Sequence, residues 1–136
     1  MNCVGREQSM NQVQCEVAGE SLVIHLPEEL DDHSSRDLRR QVEDCLRGCR
    51  IRRLVFDYSR TRFMDSAGVG AVLGTYKLFR EREGEVAVCG AGRRVRRLLE
   101  MAGIPRLARM CSTLEEALNL PADEAWERRA NEERER

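Results

Sequence analysis

The chain has 136 residues, enough for one ordinary domain with a single core and too few for two. Hydrophobic residues make up 41% and aromatic ones 4%, so the core must be built mostly from aliphatic side chains. A net charge of -1 argues against a generally nucleic-acid-binding surface and leaves room for local patches.

The opening "MNCVGREQSMNQ" lacks the apolar stretch of a signal peptide, and no run approaches the roughly 20 apolar residues of a membrane span, which makes a cytoplasmic address the expectation. The six cysteines are scattered in a chain without secretory features and read as reduced thiols. Cys45 and Cys49 share a helical spacing, but without a second cluster they read as packed thiols and not as zinc ligands.

In chain order, "QVQCEV" and "SLVIHLP" flank the polar "AGES" and predict a β-hairpin. In "HSSRDLRRQVEDCLRGC", Leu38, Val42, Cys45, Leu46 and Cys49 recur at helical spacing. Ser34 or Ser35 is the expected cap, with the end near Gly48. "IRRLVFDY" reads as a strand covered on both faces. A second helix is predicted from Ser66 to Arg82, buried through Val69, Val72, Leu73, Tyr76 and Phe79 and stopped by Gly84. "EVAVCG" is another buried strand, and "RRVRRLLEMAG" a third helix ended by Gly103 and Pro105. "RLARMC" predicts a short strand, and Ser112 with Glu115 a capping box for a last helix, "TLEEALNL". Beyond Pro121 the chain is charged, with Trp126 as its one large apolar residue, and reads as a frayed helix or disordered tail. The order implies an α/β fold: a mostly parallel central sheet, one antiparallel strand from the N-terminal hairpin, and about four flanking helices.

Chemistry concentrates in "FMDSAGVG". With Asp65 as N-cap, Ser66 falls at the first helical position, where free amides and the positive end of the helix dipole tolerate an added phosphate. Gly68 and Gly70 keep that turn slim, which suits close approach by another backbone or protein. From these residues alone, plain helix capping and tight packing on the sheet are the favoured explanation of the stretch, because Asp and Ser are common caps. A nucleophilic role for Ser66 lacks the Gly-x-Ser-x-Gly elbow, and His25 and His33 form no triad spacing with it. "GVGAVLG" lacks the Gly-Lys-Ser/Thr ending of a phosphate loop. Asp31, Asp32 and Asp57 can approach Asp65 only if their loops converge, and otherwise read as solvated turn and cap residues. The arginines Arg93, Arg94, Arg96 and Arg97, with Arg106 and Arg109, form the strongest basic feature. Solvated helix surface, contact with an acidic partner and contact with nucleic acid all stay open for it, in that order.

Three stretches, "EELDDHSSRDLRRQVEDCL", "RRLVFDYSRTRFMDSAGVGAVLGTYKLFRERE" and "GEVAVCGAGRRVRRLLEMAGI", resemble the STAS family, specifically the bacterial anti-sigma factor antagonists of the sporulation type. The resemblance covers roughly residues 10–120 and leaves 121–136 as a separate charged tail. It implies that Ser66 is phosphorylated by the anti-sigma factor, itself an ATP-dependent serine kinase, and that a PP2C-type phosphatase reverses the mark. Many relatives carry a second hydroxyl where this chain has Ala67, and Pro27 stands where a glycine is common. On this resemblance the chain is a non-enzymatic switch without cofactor or metal. Unmodified, it captures the kinase through Asp31, Asp65, Ser66 and Gly68 and frees a sigma factor; phosphorylated, it lets go. A STAS sensor module binding a nucleotide or other small ligand is the alternative.

Overall fold

A computed structural model describes residues 12–121. The charged tail with Trp126 and the N-terminal segment with Cys3 lie outside these residues.

The elements run β1 (Gln14–Ala18), β2 (Ser21–His25), β3 (Glu29–Leu30), α1 (Asp32–Gly48), β4 (Arg53–Asp57), β5 (Phe63–Met64), α2 (Ser66–Arg80), β6 (Glu85–Cys89), α3 (Arg93–Met101), a 3-10 turn (Ile104–Arg106), β7 (Arg109–Cys111) and α4 (Leu114–Leu118). The main sheet has the order β1-β2-β4-β6-β7, antiparallel at β1–β2 and parallel elsewhere, as the alternation of elements predicts. Each crossover steps to the next strand in the same direction. Right-handed connections therefore place α1, α2 and α3 on one face.

Strand alternation divides the core accordingly. Leu22, Ile24, Leu54, Phe56, Val86 and Val88 pack with Leu38, Val42, Val72, Phe79, Val95 and Leu99 of those helices. Val23, Val55, Ala87 and Cys89 point the other way and meet Ala117 of α4. The short α4 is pinned by Arg53, whose guanidinium donates to the carbonyls of Ala117 (3.2 Å), Leu118 (3.3 Å) and Leu120 (2.9 Å) and to Glu85 Oε2 (2.6 Å). One β4 side chain thus satisfies carbonyls at the end of α4 that the helix itself leaves open.

Several local expectations change. The α1 cap is Asp31, one turn before the expected serines: its Oδ1 accepts from the Ser34 N–H at 3.0 Å, and the Asp31 N–H donates to Ser34 Oγ at 2.9 Å. Ser34 is the reciprocal partner of a capping box, a role usually filled by Glu or Gln. α2 ends at Arg80, not Arg82, and the left-handed residue there is Glu83 (φ 62°). Gly84 is required for a different reason: a Cβ there would run into the Phe79 ring. The α4 cap is Thr113, which accepts from the Glu116 N–H at 3.1 Å, one residue beyond the expected Ser112–Glu115 pair. Ser112 takes part through its N–H, which donates to Glu116 Oε2 at 3.2 Å. In "RLARMC" only Arg109–Cys111 is strand, because Arg106 belongs to the 3-10 turn that opens at Ile104 and Pro105.

A parallel ladder between β3 and β5, pairing Glu29 with Phe63 and Leu30 with Met64, adds two strands beyond those the sequence pattern predicts. Two residues per strand give no detectable periodicity. Its long-range bonds hold it: Arg62 and Phe63 N–H groups donate to the Glu28 carbonyl at 2.8 and 3.1 Å, and Thr61 Oγ1 donates to the Pro27 carbonyl at 2.8 Å. Pro27 serves as an acceptor there, so its missing N–H costs nothing.

Candidate functional site

The β3–β5 ladder organises the site. The residue after β3 is Asp31, N-cap of α1, and the residue after β5 is Asp65, N-cap of α2. The Asp65 N–H donates to the Leu30 carbonyl at 3.3 Å, so the parallel register carries into the caps and brings the starts of both helices together. α1 and α2 also pack against each other. Asp31 and Asp65 are therefore brought to one end of the fold, as structural caps.

Asp65 Oδ1 accepts from the Gly68 N–H at 2.9 Å, and its carbonyl accepts from the Val69 N–H at 3.0 Å. Ser66 occupies the first helical position and is exposed. Its side chain has no hydrogen-bond partner among the described residues, which leaves the hydroxyl free beside the positive end of the helix dipole. Ala67 offers only a methyl group, so Ser66 is the sole side-chain hydroxyl in this first turn. Gly68 is buried: a Cβ there would overlap the Leu30 carbonyl oxygen and come within 2.8 Å of Met64 Cγ. Its slimness admits the chain's own backbone, whereas Gly70 is exposed with nothing within 4 Å of a Cβ.

The electrostatics follow from these contacts. The Ser34 backbone N–H and then its hydroxyl hold the Asp31 carboxyl below its ordinary value. Asp57, which sequence left as a possible neighbour of Asp65, is engaged elsewhere. It lies at the end of β4 on the sheet face that carries Val55, accepting from His25 Nδ1 at 2.7 Å and from the Ser59 N–H at 3.0 Å. Burial pushes Asp57 upward, but these hydrogen bonds outweigh it and leave the carboxyl below its ordinary value. The same bond to Asp57 raises His25 above 6.5, with Glu16 3.6 Å from Nε2 adding to it. Sequence reasoning could not find this pair, because only the β2–β4 register sets His25 opposite Asp57.

Phe63 carries no signal in the sequence either. It is 53% exposed, three residues before Ser66, on a strand that no periodicity announces. Cys45 is buried within α1 and Cys49 is its C-cap. Among the described residues, no three His, Cys, Asp or Glu side chains are gathered to hold a metal, and no helix is long and apolar enough to cross a membrane.

This architecture, with a capped serine at the head of α2, can be set beside known proteins. The STAS domain profile matches residues 12–117. The chain belongs to the STAS family, among its anti-sigma factor antagonists. It is 39% identical over 83 residues to the anti-sigma F factor antagonist of Paenibacillus polymyxa, covering 61% of this chain and 71% of that one. The anti-sigma factor antagonist SpoIIAA in its unphosphorylated form superposes with a TM-score of 0.69 at 29% identity, covering 79% of this chain and 93% of that one. The Bacillus cell fate determinant SpoIIAA in its phosphorylated form gives 0.65 at 28% identity, covering 79% and 96%. The STAS fold here thus resembles a relative solved both with and without phosphate.

Proposed function

We propose that this protein is a phosphorylation-switched anti-sigma factor antagonist. Unmodified, it binds an anti-sigma factor that is also a serine kinase and so releases a sigma factor. Phosphorylation at Ser66 ends the binding, and a PP2C-type phosphatase restores it. The observation that carries this reading is the Ser66 hydroxyl, exposed and unbonded at the first position of α2, in a chain whose relatives are anti-sigma factor antagonists.

The physical argument has two halves. Phosphate adds about -1.5 to -2 charges and three acceptor oxygens, and on Ser66 it would sit at the positive N-terminal end of α2. The fold therefore tolerates the modification. A partner packed over Ser66 and Gly70 does not, because it would have to desolvate the phosphate next to Asp65. Each ~1.4 kcal/mol of that penalty weakens binding about tenfold, so two or three such increments make a switch.

In this account Asp31 and Asp65 present the two helix starts as one surface, and Gly68 keeps α2 seated on Leu30. No catalytic chemistry of the protein's own is required. Incubation with the cognate anti-sigma factor and ATP, followed by mass spectrometry, tests the reading: phosphate should appear on Ser66 and vanish in Ser66→Ala. Modification at another residue, or none, contradicts it.

A further inference from the structure

Phe63 and Met101 are the large apolar side chains left exposed among the described residues, and Phe63 lies three residues before Ser66 in the chain. An exposed ring on a loose loop would carry little meaning. Phe63 is fixed on both sides instead: its own N–H donates to Glu28, the next residue Met64 is buried, and the Asp65 N–H is bonded to Leu30. A backbone held in this way leaves only the side-chain rotation of Phe63 to be ordered when a partner covers the ring.

β5, which carries Phe63, packs against α3. That helix buries Val95 and Leu99 and exposes Arg93, Arg94, Arg96 and Arg97. Its one acid, Glu100, lies 4.0 Å from Arg96. Gly92, the N-cap, supplies no side-chain acceptor, so the positive helix end adds to the arginine charge. Three of the arginines, Arg93, Arg96 and Arg97, line an open recess of about 420 Å³ with Ala91 and Glu100. Four cations on nine residues, in a chain whose net charge is -1, form a distinct basic patch.

We infer that Phe63 and the arginine face of α3 form a docking surface beside Ser66 for an acidic face of the anti-sigma factor that offers an apolar pocket to the Phe63 ring. This rests on the proposed function and deepens it. The aromatic anchor supplies affinity, and the arginine rim supplies orientation and on-rate. Nucleic acid fits less well, because the patch has one aromatic residue and the chain as a whole is slightly acidic.

The test is isothermal titration of the full chain with the ADP-loaded anti-sigma factor. Phe63→Ala should bind at least about tenfold more weakly, with Phe63→Leu intermediate, as for a buried interface anchor. Arg93→Ala combined with Arg97→Ala should lose about three- to tenfold at low salt, and the loss should shrink near 0.5 M salt. Melting curves matching wild type exclude misfolding. If wild type binds while the Phe63 and arginine variants bind equally well, the docking surface is wrong and the functional reading stands. If wild type does not bind, the functional reading itself fails. If a short mixed-sequence DNA duplex binds more tightly than the anti-sigma factor, and the arginine variant loses it, the face belongs to nucleic acid and the inference is overturned.

Discussion

Gly68 on the first turn of α2 sits directly under the carbonyl of Leu30, so closely that a single methyl group at position 68 would collide with backbone. Backbone cannot swing aside as a flexible side chain can. Gly68→Ala should therefore push α2 off the β3–β5 ladder and lower stability by about 1–3 kcal/mol, the range for overpacking a tight site. Gly70→Ala is the matched control, with open space around its Cβ and better helix propensity, and should be neutral or slightly stabilising. Urea denaturation of the two variants checks this; equal effects would contradict the role assigned to Gly68.

The His25–Asp57 pair predicts a stability curve with two edges. His25 has a raised folded-state pKa, so its contribution is complete below 6.5 and disappears as pH rises through the folded value. Asp57 has a lowered one, so its contribution is present above 3.8 and disappears as pH falls. Stability from the pair should therefore be greatest between these limits. Both edges should flatten in His25→Gln, with Glu16, Ser59 and Cys89 as the other groups meeting the pair. Chemical denaturation across pH checks it, and an unchanged pH profile in the variant would contradict it.

Arg53 joins β4 to the end of α4, with its side chain only 13% exposed. Its removal leaves Glu85 beside Arg109, 3.5 Å away, and opens the carbonyls of Ala117, Leu118 and Leu120. Arg53→Met should cost about 1–3 kcal/mol, the scale for losing hydrogen bonds to a charged group while Glu85 keeps Arg109 beside it. Hydrogen exchange should show lost protection in 114–120 before the rest of the fold. Uniform loss of protection would indicate that Arg53 does not hold α4 specifically.

The features legible in the sequence were those with a period or a local rule. The contiguous Leu54, Val55 and Phe56 mark a central strand, the spacing of Val72, Tyr76 and Phe79 marks the buried face of α2, and Asp65 is a cap at the expected position. What stayed hidden depends on residues far apart in sequence. Asp31 rather than Ser34 caps α1 because β3 ends there, and β3 exists only by pairing with β5. Gly68 looked suited to a visiting partner because its actual neighbour, Leu30, lies 38 positions earlier in the chain. His25 and Asp57 became a pair through strand register. The serine itself was readable; the surface around it was not.

The central claim concerns Ser66, and the most direct measurement is the affinity of the ADP-loaded anti-sigma factor for wild-type, Ser66-phosphorylated and Ser66→Ala proteins by isothermal titration. Wild type and Ser66→Ala should bind alike, and the phosphorylated protein should bind at least about a hundredfold more weakly, equivalent to two increments of ~1.4 kcal/mol. Ser66→Asp, with one charge and less bulk than phosphate, should fall between them while remaining folded. Equal affinities for all three samples would contradict the switch and leave Ser66 as an ordinary first-turn residue of α2.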